Sequence, residues 1–390
     1  MEKSADHPPT IKDVAIRAEV SVATVSAVLN ANKYVSPELA QRVRESITAL
    51  GYERNSLAQG LKTQTSHTIG LIISDITNPF FTSVVRGVED VANAQNFSLI
   101  LGNTDEDIKK EMGYINLLES KRADGLIVAL TNGNHDYLRT WPRHHLPLVS
   151  IDRSLFQAGI DAVLVDNVGG ARLAVEHLIG LHHRRIGIVT GIAGITTTEE
   201  RLIGYKQALE AHNIPFEPAL VAEANSRVDG GEQATRHILS QTERPSALFV
   251  MNGLMVIGAL QAINQLGLRC PQDIALVGFD NLEWASVVYP RLTTISQPTY
   301  EIGQQAAHLL FERMKNRQAA PREIRLAPRL IIRESCGATL PAQANPEEVP
   351  VSRTVPSPSA LIVPNGEHLG GHSNLGRTRN GDIGREVRRY

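Results

Sequence analysis

Cysteine is almost missing from this 390-residue chain: only Cys270 and Cys336 occur, far apart and outside any CxxC spacing. A disulfide framework or a zinc site therefore has no support, and the pair reads as buried or incidental free thiols. No apolar run is long enough to span a bilayer, so no membrane partner is expected. The opening MEKSADHPPT is polar, carries acidic residues and has no apolar core. That is unlike a secretory signal, and a cytoplasmic protein is expected. An excess of one charge is lacking too, since 39 Lys and Arg face 41 Asp and Glu for a net charge of −2. Nothing attracts nucleic acid globally, so any DNA contact has to come from a local surface. Catalytic signatures are missing as well: there is no GxSxG, HExxH, Walker or GxGxxG loop, and His182-His183 reads as a solvated loop. No enzyme, cofactor or metal is expected.

What is present divides into regimes. The chain is too long for one ordinary core, so several packed units are expected. Residues 10–55 carry short helical patterns, and 56–66 form a linker with one short helix candidate. From 67 to 337, apolar β-branched runs alternate with amphipathic helical stretches: TIGLIIS (Thr68 to Ser74), FSLILG (Phe97 to Gly102), DGLIVAL (Asp124 to Leu130), LPLVSID (Leu146 to Asp152), RIGIVTG (Arg185 to Gly191), SALFVM (Ser246 to Met251) and IALVGFD (Ile274 to Asp280). The alternation predicts βαβ units, and the lack of strict period-two patterning predicts parallel strands covered on both faces. The length of the series points to two similar sub-domains. Residues 338–390, with PAQANPEEVP, VPSPS, GGHSN and a terminal arginine run, have no apolar periodicity and predict a disordered tail without coiled-coil heptads.

The N-terminal block reads as three short helices. Val14, Ala15 and Ala18 make an apolar face on the first; Ser21 caps Val22 to Asn30, whose Val25, Val28 and Leu29 point inward. Val22, Ala23, Ser26 and Ala27 are then left outward, the geometry of a helix that enters a major groove. Ser36-Pro37-Glu38 starts a third helix carrying Leu39, Val43, Ile47 and Leu50.

DVAxxAxVSxATVSxVLN, followed by VSPE and LGY, resembles the LacI family of repressors. The resemblance implies a helix-turn-helix head reading double-stranded operator DNA, with Ser21, Val22, Ala23, Thr24, Ser26, Ala27 and Asn30 at its DNA face. Two positions depart from the family pattern. Glu19 stands where the turn usually has glycine, at a cost of about 1 kcal/mol if left-handed. Ala27 replaces a long polar residue, so readout should lean on thymine methyls. Thr24, Ser26 and the helix start at Ser21 can donate to phosphates, and Arg42, Arg44 and Arg54 supply nearby charge. Ser56 to Leu61 is similar to the family's hinge helix, which implies that Leu61 wedges into the minor groove when two subunits meet on bent DNA. A plain linker with an incidental leucine is the alternative.

The βα series resembles the type I periplasmic-binding-protein-like core of the same family. Polar residues collect beyond strand ends, where open sheets bind ligands: Asp75 and Phe80, Arg153, Arg201, Asn252 and Asp280. Guanidinium forks and carboxylates suit adjacent hydroxyls, and an aromatic face suits a sugar ring. Taken singly, Asp75, Arg153 and Asp280 can equally cap helices or form ion pairs. Asn252 precedes Gly253 where many relatives have Asn-Asp, so a carboxylate is missing and the cleft is expected to tilt positive, toward a sugar acid or sugar phosphate beside a neutral sugar. The whole implies a repressor acting as a homodimer on a palindromic operator, with a small sugar-like or sugar-acid effector as inducer or corepressor. A solute-binding protein and an enzyme are the rival readings.

Overall fold

The computed structural model describes residues 8–30, 33–52, 65–133, 135–138, 146–154 and 158–338. The expected hinge helix with Leu61, Arg54 and the tail after Ala338 lie outside the described residues.

The head is three helices, α1 (Ile11–Arg17), α2 (Val22–Asn30) and α3 (Pro37–Leu50). Each start is fixed by a side chain that satisfies amides left open in the first turn. The Asp13 carboxylate accepts from the Thr10 amide at 2.8 Å, Ser21 Oγ accepts from Thr24 at 3.1 Å, and Ser36 Oγ accepts from Leu39 at 3.5 Å. Val14, Ala15, Ala18, Val25 and Val43 form the buried centre, with Val28, Leu29, Ile47 and Leu50 packed round it. Glu19 does adopt the left-handed conformation, at φ 51°. Arg42 donates to Ala18 O at 2.6 Å and to Glu19 Oε2 at 3.3 Å, bracing a turn that glycine would form without strain.

The remaining elements build two lobes. The first holds β1 (Thr68–Ile73), β2 (Ser98–Asn103), β3 (Gly125–Ala129), β4 (Leu148–Ile151), β5 (Asp161–Val165) and β11 (Glu323–Leu326) in the order β11-β5-β4-β3-β1-β2. The second holds β6 (Ile186–Thr190), β7 (Val221–Glu223), β8 (Ala247–Val250), β9 (Ala275–Phe279), β10 (Thr293–Ser296) and β12 (Arg329–Ile331) in the order β12-β10-β9-β8-β6-β7. All pairings are parallel except β10 with β12. Every apolar run expected to be a strand contributes one, and β3, β4, β6, β8 and β9 are buried along their length, as strands covered on both faces must be. β2 is the exception: an edge strand that leaves Ile100 and Leu101 exposed.

The covering helices are α4 (Pro79–Ala94), α5 (Ile108–Ser120), α6 (Asn167–Gly180), α7 (Thr196–Ala211), α8 (Val228–Leu239), α9 (Gly253–Gln265) and α10 (Thr299–Lys315). The chain passes between lobes after β5, after β10 and after β11, and α10 returns to pack on α4 of the first lobe. That contact depends on glycine: a Cβ at Gly87 would sit 2.2 Å from Tyr300 O, and one at Gly303 would sit 2.1 Å from Val84 O.

Candidate functional site

Where the two lobes face each other, the carboxyl ends of their strands enclose a cleft of about 80 Å³. At roughly 10–15 Å³ per water, this is space for about five to eight waters, the scale of a monosaccharide. Asp75, Phe80, Arg153, Arg201, Asn252 and Asp280 all line it. The strand-end rule therefore brought the expected residues to one place. Their individual states differ.

Arg201 is buried, donates through Nε to Asn167 Oδ1 at 2.8 Å and through Nη1 to Met251 O at 2.5 Å, and lies 3.7 Å from the centroid of the Phe279 ring. Burial pushes its pKa down, against the opposing pull of Asp280 and Asp152. Arg153 is held by Glu106, Nη1 to Oε2 at 2.8 Å and Nη2 to Oε1 at 2.5 Å, and also donates to Leu130 O. Burial works against its charge, but Glu106 outweighs that and raises the pKa. Asp280, at φ 78°, accepts from the Gly253 amide at 3.1 Å and from Gln297 Nε2 at 2.5 Å. Phe80, placed by Asn78 at the start of α4, packs edge-on against Phe81 at 4.9 Å.

Two of the expected residues are largely occupied by local structure. Asp75 Oδ1 accepts from the amide and hydroxyl of Thr77 at 2.8 and 2.6 Å. Asn252 caps α9, accepting from Met255 at 2.8 Å and donating to Ser226 O at 3.0 Å. Sequence reasoning missed Glu106, Asp152, Asn225, Arg227, Phe279 and Gln297. Burial raises the pKa of Asp152, with Arg153 and Arg201 pulling the other way.

The expected positive tilt is not found. The lining holds four carboxylates, Asp75, Glu106, Asp152 and Asp280, against three guanidinium groups, Arg153, Arg201 and Arg227. Glu106 supplies the negative charge that the missing aspartate after Asn252 had seemed to remove. Two buried polar atoms of the lining have no hydrogen-bond partner among the described residues: Arg153 Nε, a donor 3.8 Å from Asp152 Oδ2, and Gln297 Oε1, an acceptor. Orphaned buried groups are costly unless a ligand or water meets them.

On the head, Ser21, Val22, Ala23 and Asn30 are exposed and Thr24 and Ser26 are half-buried. Ala27 corrects the outward expectation: it is only 8% exposed. A methyl ends close to its own helix, where a long polar side chain at the same position would emerge. Asn30 Nδ2 donates to Ser26 O at 2.8 Å and to its hydroxyl at 3.1 Å. Arg42, bound to the turn, is not a freely reaching phosphate contact. Tyr34, 91% exposed between α2 and α3, escaped sequence reasoning.

A trihelical head with an exposed second helix, in one chain with a two-lobed α/β unit that closes on a polar cleft, defines a ligand-responsive DNA-binding regulator. Residues 10–55 match the model of bacterial regulatory proteins of the lacI family, and residues 175–336 match that of the periplasmic binding protein-like domain. The chain is 36% identical over 329 residues to the HTH-type transcriptional repressor PurR of Aliivibrio fischeri (strain MJ11), covering 84% of this chain and 98% of that protein. It is 36% identical over 326 residues to the ribose operon repressor of Halalkalibacterium halodurans, covering 84% and 96%. Among solved structures, the lac repressor dimer bound to operator and the anti-inducer ONPF matches with a TM-score of 0.78 at 28% identity, covering 85% of this chain and all of that one. The chain belongs to the LacI family of DNA-binding transcriptional repressors, which are regulators and not enzymes.

Proposed function

We propose that this repressor binds a palindromic operator as a homodimer and that a neutral, monosaccharide-sized polyol, of which an aldopentose such as D-ribose is the model, occupies the cleft and changes operator affinity. The observation that carries the ligand reading is the mixed lining. Arg153 is already neutralised by Glu106, and the remaining guanidinium groups and carboxylates offer adjacent donors and acceptors without a net positive charge. Hydroxyls can satisfy both kinds at once, whereas a carboxylate or phosphate can only accept. The orphaned Gln297 Oε1 asks for a donor, and an anionic ligand has fewer to give. Similarity to a ribose operon repressor supports the same class.

The DNA reading rests on Val22 and Ala23, apolar and exposed at the start of α2. They suit thymine methyls, while Ser21 and the helix start suit phosphate. Dimerisation is supported by exposed apolar side chains on the first lobe, Ile100 and Leu101 on the β2 edge strand and Met112 and Leu117 on α5. Such an edge invites pairing. Calorimetry with D-ribose, neutral hexoses, sugar acids and purine bases tests the ligand class. Binding of a sugar acid or a purine in preference to every neutral sugar would overturn it.

A further inference from the structure

Two of the three guanidinium groups of the cleft, Arg153 and Arg201, sit on opposite lobes, and a chain of hydrogen bonds runs from Arg201 past the inter-lobe crossings to Ser154, the residue next to Arg153. Arg201 Nε donates to Asn167 Oδ1 at 2.8 Å, and Asn167 Nδ2 donates to Glu200 Oε2 at 2.9 Å. Arg325 Nη1 donates to the other oxygen, Glu200 Oε1, at 2.9 Å, and Arg325 Nε donates to Glu323 Oε1 at 2.7 Å. Ser154 Oγ donates to Glu323 Oε2 at 3.2 Å, and Ser154 follows Arg153 in the chain.

The elements involved are the ones that cross between lobes. Asn167 opens α6 just after β5, Arg325 and Glu323 are in β11 just before the last crossing, and Glu200 is on α7 of the second lobe. Donors and acceptors alternate in only one way. Arg201 can only donate, so Asn167 must turn its oxygen to it; Glu200 can only accept, so it must receive the Asn167 amide and the Arg325 guanidinium at separate oxygens. Asn167 is fully buried and the Glu200 side chain is 17% exposed, so neither end of that link is readily replaced by solvent.

We infer that Glu200 and Arg325, neither of which lines the cleft, are positioning residues that set the Arg201 side chain through Asn167 and tie its orientation to the inter-lobe crossings, so that effector affinity and lobe geometry are linked through this circuit. On a helix, consecutive side chains point about 100° apart, which lets Glu200 face the inter-lobe crossings while Arg201 faces the cleft. The inference rests on the cleft being the effector site.

Glu200→Gln is the sharp variant. It keeps size and shape but presents a donor where two donors must be received, so one link breaks whichever way the amide turns. Arg325→Met removes the far partner without touching the cleft. In the full-length protein, calorimetry with D-ribose should show about tenfold weaker binding for each variant, and the double variant should be no weaker than the worse single one. Independent, additive losses, or unchanged affinity, would overturn the circuit.

Ligand-free hydrogen exchange supplies a second readout that needs no effector. Amides of residues 165–168 and 323–329 should exchange about tenfold faster in both variants, beyond any uniform acceleration that a lowered melting temperature brings. Unchanged exchange there, or acceleration no greater there than over the whole domain, would also overturn it. Should the parent chain fail to bind D-ribose, the pentose reading falls, while the exchange arm still decides the circuit.

Discussion

Replacing Glu106 by Gln removes the charge that balances Arg153 while nearly preserving shape. The lining would change from four carboxylates and three guanidinium groups to an even count. A carboxylate on a bound sugar acid would lie about 5 Å from that position, where one charge at an effective dielectric near 20 is worth about 3 kcal/mol. The Glu106 side chain is 24% exposed, and screening reduces this to about half. The ratio of D-ribonate to D-ribose affinity should therefore rise roughly tenfold to a hundredfold, with most of the change in the acid. The same substitution weakens two short hydrogen bonds to a buried guanidinium and should lower stability by about 2 kcal/mol or more. Competition calorimetry at fixed pH and salt, with a thermal melt as control, measures both. An unchanged ratio in a variant that has lost the expected stability would refute the charge reasoning, because the pair would then have been broken without affecting selectivity.

Other perturbations follow from the same geometry. Glu111, fully buried in α5, accepts from the Thr131 amide at 2.6 Å and from Tyr137, with His135 at 3.3 Å. Burial works to raise its pKa, but those groups hold it below the ordinary 4.5. Folded Glu111 therefore binds its proton less readily than in the unfolded chain. Its stabilisation is present above 4.5 and lost as pH falls below it, and Glu111→Gln should flatten that part of a melting temperature against pH curve. Burial pushes the Cys270 thiol up to about 12 and Cys336 is fully buried, so neither should react with a thiol reagent at pH 8 until denaturant is added; prompt native-state labelling would contradict the packing. Ser21→Ala removes the oxygen that accepts the Thr24 amide and should cost about 1 kcal/mol of head stability, read by chemical denaturation, together with weaker operator binding. Gly303→Ala would push a methyl to 2.1 Å from Val84 O and should destabilise by about 1–3 kcal/mol, measured the same way.

The parts legible in the sequence were those governed by local chemistry. Ser21 and Ser36 announced helix starts, and the continuous apolar runs announced strands covered on both faces. The six cleft residues were found because they lie beyond the ends of strands that could be read, with the family resemblance pointing to Phe80, Asp280 and Arg201, the last on the second turn of α7. Glu106 was not, since Asp105 and Glu106 both take left-handed backbone, at φ 52° and 61°, and turn the carboxylate back to Arg153. Nothing in an Asp-Glu pair signals that conformation. Gln297 follows β10, a short strand that shares its sheet with an antiparallel neighbour and carries threonines in place of an aliphatic run. Ala27 was misjudged because its place on α2 was read without the reach of its side chain. Asn252 is in the cleft as expected, but its oxygen serves the α9 cap, a role that an Asn just before a helix carries in the sequence itself.

The central claim is that cleft occupancy and operator binding are linked in one chain, so each must alter the other by the same factor. Selection of duplexes from a random pool, followed by titration of the recovered DNA at fixed salt with and without saturating D-ribose, tests it directly. A palindromic consensus whose affinity changes severalfold or more with the sugar, matched by an equal change in sugar affinity with DNA, is the predicted result. Recovery of a palindrome whose affinity saturating D-ribose leaves unchanged would contradict it.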